Sequence, residues 1–365
     1  MMEGGKIVYK ICHISTVHQP DDIRIYRKEL LSLSTKYETY YVNSNNRNIS
    51  EMKDVNLIVF KKSKNRFRRI FIDTFKAYKL AKELNCEIYH FHDFEFIFYA
   101  FLLKKQGKKI IYDTHEDLPR AILSKKWIPL IIRKPVSVIV ENIENYYSRN
   151  FDFIITATPH INKRFKNINE KTEVINNYPI LNELISDGNS SKKLNQVAYV
   201  GGLSSIRGSK ELAEASMLTN STIKVAGATN DLINKNRLIL LGQLDRNEVK
   251  ELLSESLAGL ITFLPEPNHV NAKPNKMFEY MSASLPIICS NFQEWEDLII
   301  ENKNGISVNP KKPKEIAEAI DYFVQNPNVA KMMGENGRIA IEKKYNWEKE
   351  SKKLFEIYYD LLEEN

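Results

Sequence analysis

Two successive runs of alternating strands and helices constrain the fold of this chain more than any other feature of its sequence. The first run extends from an apolar strand pattern at 6–13 to a short strand at 173–175. The pattern restarts with a strand at 196–200 and continues to a strand at 305–308. Strands that alternate with helices are typical of parallel sheets covered on both faces. The sequence therefore predicts an α/β protein with two doubly wound, Rossmann-like domains facing a cleft.

A polar segment between the two runs gives the expected domain boundaries. Residues 181–195 cluster Gly, Ser and Asn, as a linker does. We therefore expect an N-terminal domain at 1–180, a C-terminal domain at 196–344 and a final helix at 345–365. A chain of 365 residues is also too long for one ordinary core, which favours two domains.

Composition and cysteine usage are those of a globular protein from a reducing compartment. Hydrophobic residues make up 43% and charged residues 27% of the chain. No apolar run reaches the roughly 18–20 residues that span a bilayer, and the start lacks an apolar signal-peptide region. Cys12, Cys86 and Cys289 are far apart and fall in or beside predicted strands. We expect buried thiols and a cytoplasmic protein.

Basic residues are concentrated in two stretches of the predicted first domain. Residues 60–71 (FKKSKNRFRRIF) interleave six basic side chains with aromatic ones, and residues 124–135 (SKKWIPLIIRKP) place two basic pairs around Trp127 and aliphatic residues. One such stretch alone would be an ordinary solvated face. Two in the same half favour an anionic surface, such as the inner face of the plasma membrane or a lipid-linked phosphate. No nucleic-acid module is recognisable, so nucleic acid is not an expected partner.

The segment at 271–290 (NAKPNKMFEYMSASLPIICS) combines a helix start with a basic side chain. Pro274 suits the threshold of a helix, and Asn275 is expected to cap its first turn. The unsatisfied amides of that turn and the charge of Lys276 together suit a phosphate. Glu279 would repel a phosphate, so accepting hydrogen bonds from a ribose diol suits it better. An amphipathic helix with a solvated lysine and glutamate is the alternative interpretation.

A second anion-binding pattern follows the first strand of the C-terminal domain. In VAYVGGLSSIRGSKEL (197–212), Gly201 and Gly202 would let backbone amides approach an anion closely, and Arg207 stands before a helix. Two cations, Arg207 and Lys276, and a helix dipole can stabilise a diphosphate without a metal ion. No Asp-x-Asp pair occurs in the chain, so we expect no metal at a nucleotide site.

Polar residues follow three strand ends of the N-terminal domain. HFHD carries His90 and His92 at alternate positions, so both would face one side of a continuing strand. A zinc pair is conceivable, but no third ligand has characteristic spacing, and strand-end histidines with satisfied rings are the other interpretation. The other two strand ends supply further candidates, which are His115 and Glu116 in DTHED and His18, Asp22 and Arg24 in the first loop. Because ligands of such sheets bind beyond the carboxyl ends of the strands, we expect these side chains to line a cleft.

The segment KPNKMFEYMSASLPIICS resembles the donor-binding segment of family 4 glycosyltransferases, and the resemblance extends over nearly the whole chain. That family usually carries two glutamates eight positions apart. Glu279 matches the second, whereas Asn271 stands in place of the first. Arg207-Gly208 is similar to a lysine–glycine pair that binds the donor diphosphate, and Gly202 stands where a second basic residue is common. IYHFHD resembles a first-domain motif whose histidine lies near the donor sugar, which indicates His92.

The resemblance implies a GT-B fold and a retaining, metal-independent sugar transfer from a nucleotide sugar. UDP is the commonest donor nucleotide of the family, and a glycan or lipid-linked glycan of surface polysaccharide synthesis is the expected acceptor. The final helix, which starts near 345–347, would cross back onto the first domain. The residues implied are catalytic His92, Arg207 and Lys276; donor-binding Gly201, Gly202, Arg207, Asn271, Asn275, Lys276 and Glu279; and, on the acceptor side, His18, Asp22, Arg24, His115 and Glu116.

Two other functions fit parts of the sequence. A non-catalytic nucleotide-binding or scaffold protein of the same fold would account for Asn271 and Gly202. A sugar-nucleotide epimerase shares the two-domain fold, but it would not need the basic first domain. Turnover with an acceptor distinguishes a transferase from a scaffold, and release of an isomerised nucleotide sugar would indicate an epimerase.

Overall fold

A computed structural model describes residues 2–363 except 4–5, 48, 50, 126–127, 186–192, 230–236 and 271. Its contacts divide the chain into two units. The first is Met1–Asn177 with Glu350–Asn365, and the second is Tyr178–Lys349. The division thus lies just before the boundary that we expected at 180. Residues 186–192 of the expected linker lie outside the described residues.

The first unit is built on a parallel sheet of seven strands. A short antiparallel pair, β1 (Met2–Glu3) and β2 (Lys6–Ile7), precedes it. The sheet strands are β3 (Lys10–Ser15), β4 (Glu38–Asn45), β5 (Asn56–Lys61), β6 (Ile88–Phe91), β7 (Lys109–Thr114), β8 (Phe153–Thr156) and β9 (Thr172–Val174). Their order across the sheet is β5-β4-β3-β6-β7-β8-β9. Strand β6 is buried along its whole length, as a central parallel strand covered on both faces must be.

Helices connect these strands and supply the other half of the core. They are α1 (Leu31–Leu33), α2 (Arg66–Arg68), α3 (Thr74–Leu84), α4 (Ile97–Lys105), α5 (Leu118–Ser124), α6 (Leu130–Ser148) and α7 (Pro159–Lys166). Segments with π-helical hydrogen bonding, Ile23–Leu30 and Arg69–Asp73, lead into α1 and α3. The side chain of Asp22 caps the first of these segments by accepting from the amides of Arg24 and Ile25.

Helix α6 contains a proline near its start. The helix begins at Leu130 and includes Pro135, although proline usually interrupts a helix. Its first turns carry exposed aliphatic residues, with Leu130 and Ile131 77% and 91% exposed.

The second unit is a parallel sheet of six strands. They are β10 (Gln196–Val200), β11 (Thr222–Ala226), β12 (Leu238–Gly242), β13 (Gly259–Ile261), β14 (Ile287–Ser290) and β15 (Gly305–Val308). The order β12-β11-β10-β13-β14-β15 reverses direction between β10 and β13. In a doubly wound sheet the crevice at that reversal is where ligands bind. The predicted α/β class with two doubly wound sheets is confirmed.

The helices of the second unit follow the same alternation. They are α8 (Ser209–Leu218), α9 (Arg246–Glu255), α10 (Pro267–Val270), α11 (Asn275–Ser282), α12 (Gln293–Asn302), α13 (Pro313–Gln325), α14 (Pro327–Lys343) and α15 (Trp347–Glu363). From Glu350 onward α15 belongs to the first unit. Within the described ranges, none of the helices is both long and apolar enough to cross a bilayer.

Tyr280 of α11 fills the point of reversal between β10 and β13. Its hydroxyl accepts a hydrogen bond from the amide of Val200 at 2.9 Å and donates to the carbonyl of Leu260 at 3.3 Å. A Cβ atom on Gly259 would lie 2.2 Å from the Tyr280 ring, so only glycine fits there. The helix that carries the predicted anion site is therefore bonded directly to the last residue of β10 and to the middle residue of β13.

Candidate functional site

In the second unit, a glycine turn after β10 receives the side chain of Lys276. Gly201 has a φ of +115°, which favours glycine. A Cβ at Gly201 would lie 2.9 Å from Lys276 Nζ, so any side chain there would displace the ammonium group. The first strand of the unit and helix α11 thus bring together two residues that lie 75 positions apart in the sequence.

The ammonium group of Lys276 is shielded from solvent and has no hydrogen-bond partner among the described residues. It lies over the rings of Tyr199 and Phe263, 4.2 and 4.8 Å from their centroids. Burial and the charge of Arg207 lower the pKa of Lys276 to about 7. A buried cation without a hydrogen-bonding partner is costly. An anion at this position would remove that cost.

Arg207 lies at the same turn as Lys276. Its Nη1 donates to the carbonyl of Gly202 at 2.8 Å, and its guanidinium carbon lies 5.4 Å from the centre of the Phe263 ring. A Cβ at Gly202 would lie 3.3 Å from the same nitrogen, so the absence of a side chain leaves room for the guanidinium. Two like charges held this close suit a multiply charged anion.

The start of α11 corrects one predicted detail of the anion site. We expected Asn275 to cap the helix, but Asn275 is its first residue and Pro274 occupies the cap position. No side chain caps this end. Proline fits the cap because its fixed φ is compatible and it needs no amide there. The free amides of the first turn of α11 therefore have no capping side chain that would compete with a bound anion, as an asparagine cap would.

Glu279 lies one turn into α11 and has a partner that sequence reasoning missed. Arg246 donates from Nη1 to Oε1 of Glu279 at 2.8 Å and from Nη2 to Oε2 of Glu183 at 2.7 Å. Arg246 is the first residue of α9 and follows the end of β12, and a charged residue after a strand end was the available signal. The other predicted donor residue, Asn271, lies outside the described residues.

The polar strand ends of the first unit form one buried network. Nδ1 of His13 lies 3.0 Å from Nε2 of His92, and Nδ1 of His92 lies 3.3 Å from Oδ2 of Asp113. His90 and His13 both approach the hydroxyl of Tyr358, at 2.7 and 3.0 Å. His92 is 4% exposed, and burial lowers its pKa to about 4.

His115 and His18 form the more accessible side of this network. His115 Nε2 lies 2.9 Å from Oδ2 of Asp113, and its side chain is 18% exposed. His18 packs edge-on against His115, with ring centres 4.8 Å apart, and lies 3.3 Å from Asp22. Although burial opposes it, the hydrogen bond to Asp22 raises the pKa of His18. Glu116 is exposed.

Arg24 is buried in the interior of the first unit, whereas we had expected it on the acceptor side. It is 3% exposed and donates from Nε and Nη2 to the two oxygens of Asp113, both at 2.9 Å. Its Nε also lies 3.0 Å from Oε1 of Glu29. Although burial opposes it, the charge of Arg24 holds the pKa of Asp113 well below its usual range. Sequence reasoning missed His13, which lies inside β3, and Glu29, which lies inside the π-helical segment Ile23–Leu30.

Each unit therefore collects its own set of predicted residues. The second unit brings together Gly201, Gly202, Arg207, Lys276 and Glu279. The first unit gathers three predicted acceptor-side residues around His92, which are His18, Asp22 and His115, while Arg24 lies within the interior.

Family models match both halves of the chain. Residues 182–340 match the model described as glycosyl transferases group 1, and residues 39–178 match the model described as glycosyltransferase family 4. The two units and these two family matches together define a glycosyltransferase of the GT-B fold. The chain belongs to the family 4 glycosyltransferases, as the resemblance predicted.

Individual relatives agree with this assignment. An uncharacterized glycosyltransferase of Methanocaldococcus jannaschii is 24% identical over 322 residues, which cover 81% of this chain and 90% of that protein. Sucrose-phosphate synthase of Thermosynechococcus elongatus superposes with a TM-score of 0.76 at 15% identity, over 98% of this chain and 100% of that one. HepE of Anabaena, solved in complex with UDP-glucose, has a TM-score of 0.71 at 14% identity, over 96% and 100%. These two structures establish the fold alone.

Proposed function

We propose that this glycosyltransferase moves a sugar from a UDP-sugar, with retention of configuration, to a glycan or lipid-linked glycan acceptor in surface polysaccharide synthesis. One observation carries the donor part of the proposal. The ammonium group of Lys276 is buried and unpartnered within the described part of the chain, beside Arg207 and the glycine turn. A diphosphate is the anion whose charge and size suit two adjacent cations. Related structures in complex with UDP and UDP-glucose support a nucleotide-sugar donor.

In this proposal Arg207 and Lys276 act on the leaving group. Negative charge grows on the diphosphate as the glycosidic bond breaks, and cations already in position stabilise it most in the transition state. The bound diphosphate favours the charged form of Lys276 and therefore raises its pKa. The ammonium group, which loses its proton easily in the free site, then keeps it. The leaving phosphate can accept the proton of the acceptor hydroxyl, so the proposal needs no metal ion at the nucleotide.

Glu279 is proposed to bind the ribose of the donor. Arg246 already donates to Oε1, so the second oxygen of the carboxylate is the one available to a ribose hydroxyl. Arg246 is itself held by Glu183, and it would keep Glu279 from turning away from the site. Arg246 therefore joins the donor-binding residues as a positioning residue.

His92 is proposed to act through neighbouring side chains, because it is buried inside the first unit. Its ring is almost fully buried, and both nitrogens face other side chains of the first unit. It therefore supports the orientation of Asp113 and His115, and the more exposed His115, His18 and Glu116 remain the proposed acceptor-side groups. The direct contact with the donor sugar that the resemblance implies for His92 stays a prediction.

A direct test measures nucleotide binding and transfer separately. A thermal-shift screen of nucleotide sugars should raise the melting temperature most with UDP-sugars, and the best donor should then support transfer to lipid-linked acceptors. Lys276→Met should remove the shift, whereas Lys210→Met should retain it, because Lys210 is 81% exposed on α8. Absence of a shift with any nucleotide sugar, in a folded protein, would reject the donor site.

The first unit is proposed to hold the enzyme at an anionic membrane surface, where a lipid-linked acceptor lies. Phe67 and Phe71 are 73% and 67% exposed between the basic residues of 60–71. A cavity of about 630 Å³ beside them is lined by five basic side chains, Lys61, Lys62, Lys64, Arg68 and Lys76. One predicted member of the patch, Arg69, is instead paired with Glu95, 3.0 Å from Nε to Oε2. In the second basic stretch, Lys126 and Trp127 lie outside the described residues.

Liposome sedimentation tests the membrane contact. The protein should sediment with anionic vesicles at low salt and be released at high salt, since each basic residue near such a surface contributes about 1 kcal/mol. The double change Lys64→Glu and Arg68→Glu should abolish sedimentation without changing UDP affinity. The same reversal at Lys314 and Lys331, which are exposed on the second unit, is the matched control. If wild-type protein stays in the supernatant at low salt, the basic stretch at 60–71 is an ordinary solvated face. A soluble acceptor then replaces the lipid-linked one in the proposal.

A further inference from the structure

Three imidazoles and a carboxylate converge at the centre of the first unit. His13 belongs to β3 and pairs in register with His90 of the neighbouring β6, and His92 follows directly after β6. Glu29 reaches the same point from the π-helical segment Ile23–Leu30. All four side chains are buried, and each can offer one ligand atom such that these atoms lie within 4.8 Å of one another.

The spacing of three of these atoms fits a metal ion. Nδ1 of His13 and Nε2 of His92 are 3.0 Å apart, and Oε2 of Glu29 lies 3.9 Å from each. The point in the plane of these three atoms that is equidistant from them lies about 2.1 Å from each, which agrees with zinc–ligand distances of roughly 2.0–2.2 Å. His90 supplies the fourth ligand, which makes a His₃Glu set.

Two of the candidate ligand atoms lack a hydrogen bond within the described part of the chain, although Nε2 of His90 lies 3.9 Å from Oδ2 of Asp113. Among the described residues, Nε2 of His90 and Oε2 of Glu29 are buried without a hydrogen bond. Leaving a buried carboxylate oxygen and an imidazole nitrogen unsatisfied is costly. A direct hydrogen bond between His13 and His92 would satisfy those two rings but would leave Oε2 of Glu29 and Nε2 of His90, within the described part of the chain, without a hydrogen bond. A cation between them satisfies all four.

The outer side of each ligand is also fixed as in protein metal sites. The hydroxyl of Tyr358 lies 3.0 Å from Nε2 of His13 and 2.7 Å from Nδ1 of His90, so its oxygen can hold the outer nitrogen of both rings. Oδ2 of Asp113 lies 3.3 Å from Nδ1 of His92, and Nε of Arg24 lies 3.0 Å from Oε1 of Glu29 as an ion pair without a hydrogen bond. Metal-ligating histidines and carboxylates have partners of this kind, which orient the ligands.

We propose that His13, Glu29, His90 and His92 bind one divalent transition-metal ion, with zinc as the ion that best suits three imidazoles and one carboxylate. A neighbouring set of His92, Asp113 and His115 is less suitable, because both oxygens of Asp113 already accept from Arg24. The site is structural: it is closed to solvent, and it joins β3, β6 and the first helical segment. It is separate from the donor residues of the second unit and does not depend on the proposed transfer.

Metal content of the full-length protein tests the proposal. Protein purified without a metal-affinity tag should contain about one zinc per chain, or take up one Zn²⁺ or Co²⁺ after treatment with a chelator. Bound Co²⁺ should absorb visible light more strongly than the hydrated ion does. His90→Gln and Glu29→Gln should lose the metal, whereas His160→Gln, an exposed histidine of the same unit, should retain it.

A pair of adjacent tyrosines provides a milder test in case the ligand variants do not fold. Tyr358→Phe removes the hydroxyl behind His13 and His90 and should weaken zinc binding by roughly 10- to 100-fold. Tyr359→Phe, whose ring is 60% exposed, should leave it unchanged. Wild-type protein that binds neither ion after reconstitution would overturn the proposal and leave a hydrogen-bonded histidine network. If the His90→Gln and Glu29→Gln variants contain as much metal as the wild-type protein, the metal is bound adventitiously and the proposal is overturned.

Discussion

Binding of UDP should become weaker as the pH rises above 7, because the free site holds a weakly basic lysine. The pKa of Lys276 is lowered to about 7 by burial and by Arg207. A diphosphate beside the ammonium group favours the charged form, which returns the pKa towards the usual value of lysine. Each UDP bound above pH 7 must therefore bring about one proton with it. The affinity of the free protein for UDP should fall accordingly as that proton becomes scarce.

The size of the effect follows from the shift. With one proton taken up and a free-state pKa of about 7, the apparent Kd for UDP rises by a factor of about 50 between pH 7 and pH 9. The phosphate groups of UDP contribute little in this range, because a terminal phosphate loses its last proton near pH 6. Isothermal titration in two buffers with different ionisation enthalpies gives both the Kd and the number of protons taken up.

Two variants separate this explanation from general effects of pH. Lys276→Met should bind UDP weakly at every pH, with no proton uptake above pH 7. Lys210→Met, whose side chain is 81% exposed, should behave as the wild type does. A wild-type affinity that is constant from pH 7 to 9 would refute the reasoning, and so would an unchanged pH dependence in Lys276→Met.

Three further outcomes are expected in the second unit. Glu279→Ala should weaken UDP binding by about 1.5–3 kcal/mol, as for a hydrogen bond to a charged group, and an unchanged Kd by calorimetry would contradict the ribose contact. Arg207→Ala should lower the single-turnover rate at saturating donor more than it weakens nucleoside binding; a loss of affinity with full rate at saturation would exclude its action on the leaving group. Gly201→Ala should reduce UDP affinity in a folded protein, because its Cβ would lie 2.9 Å from Lys276 Nζ and its φ is +115°; wild-type binding would show that the ammonium position is unimportant.

The residues of the proposed anion site were accessible from the sequence because each belongs to a local pattern at a strand or helix end. Gly201 follows an apolar strand, and Lys276 follows a proline at the start of a helix. In a doubly wound sheet such positions must converge beyond the carboxyl ends of the strands. Their convergence did not depend on the cap of α11, so the wrong prediction for Asn275 left the site unaffected. Arg246 was harder to find, because its contact with Glu279 is set by where α9 packs.

The histidine network of the first unit could not be predicted in the same way. His13 lies inside an apolar strand, and Glu29 lies where the π-helical segment Ile23–Leu30 runs on into α1, so neither stands at a strand end. Their meeting depends on the register between β3 and β6 and on the direction in which the π-helical segment turns its side chains. The same tertiary arrangement turned Arg24 inward, where its bidentate contact with Asp113 is available.

The hydroxyl of Tyr280 has a consequence for motion at the donor site. The amide of Val200, immediately before the glycine turn, is bonded to this phenol and not to a neighbouring strand. Its hydrogen should therefore exchange with deuterated solvent only when α11 lifts away from the sheet. The exchange rate of that single amide reports how often the crevice loosens. Nucleotide binding to α11 should slow the exchange of the Val200 amide hydrogen. The exchange rates with and without nucleotide then measure how often the proposed site opens.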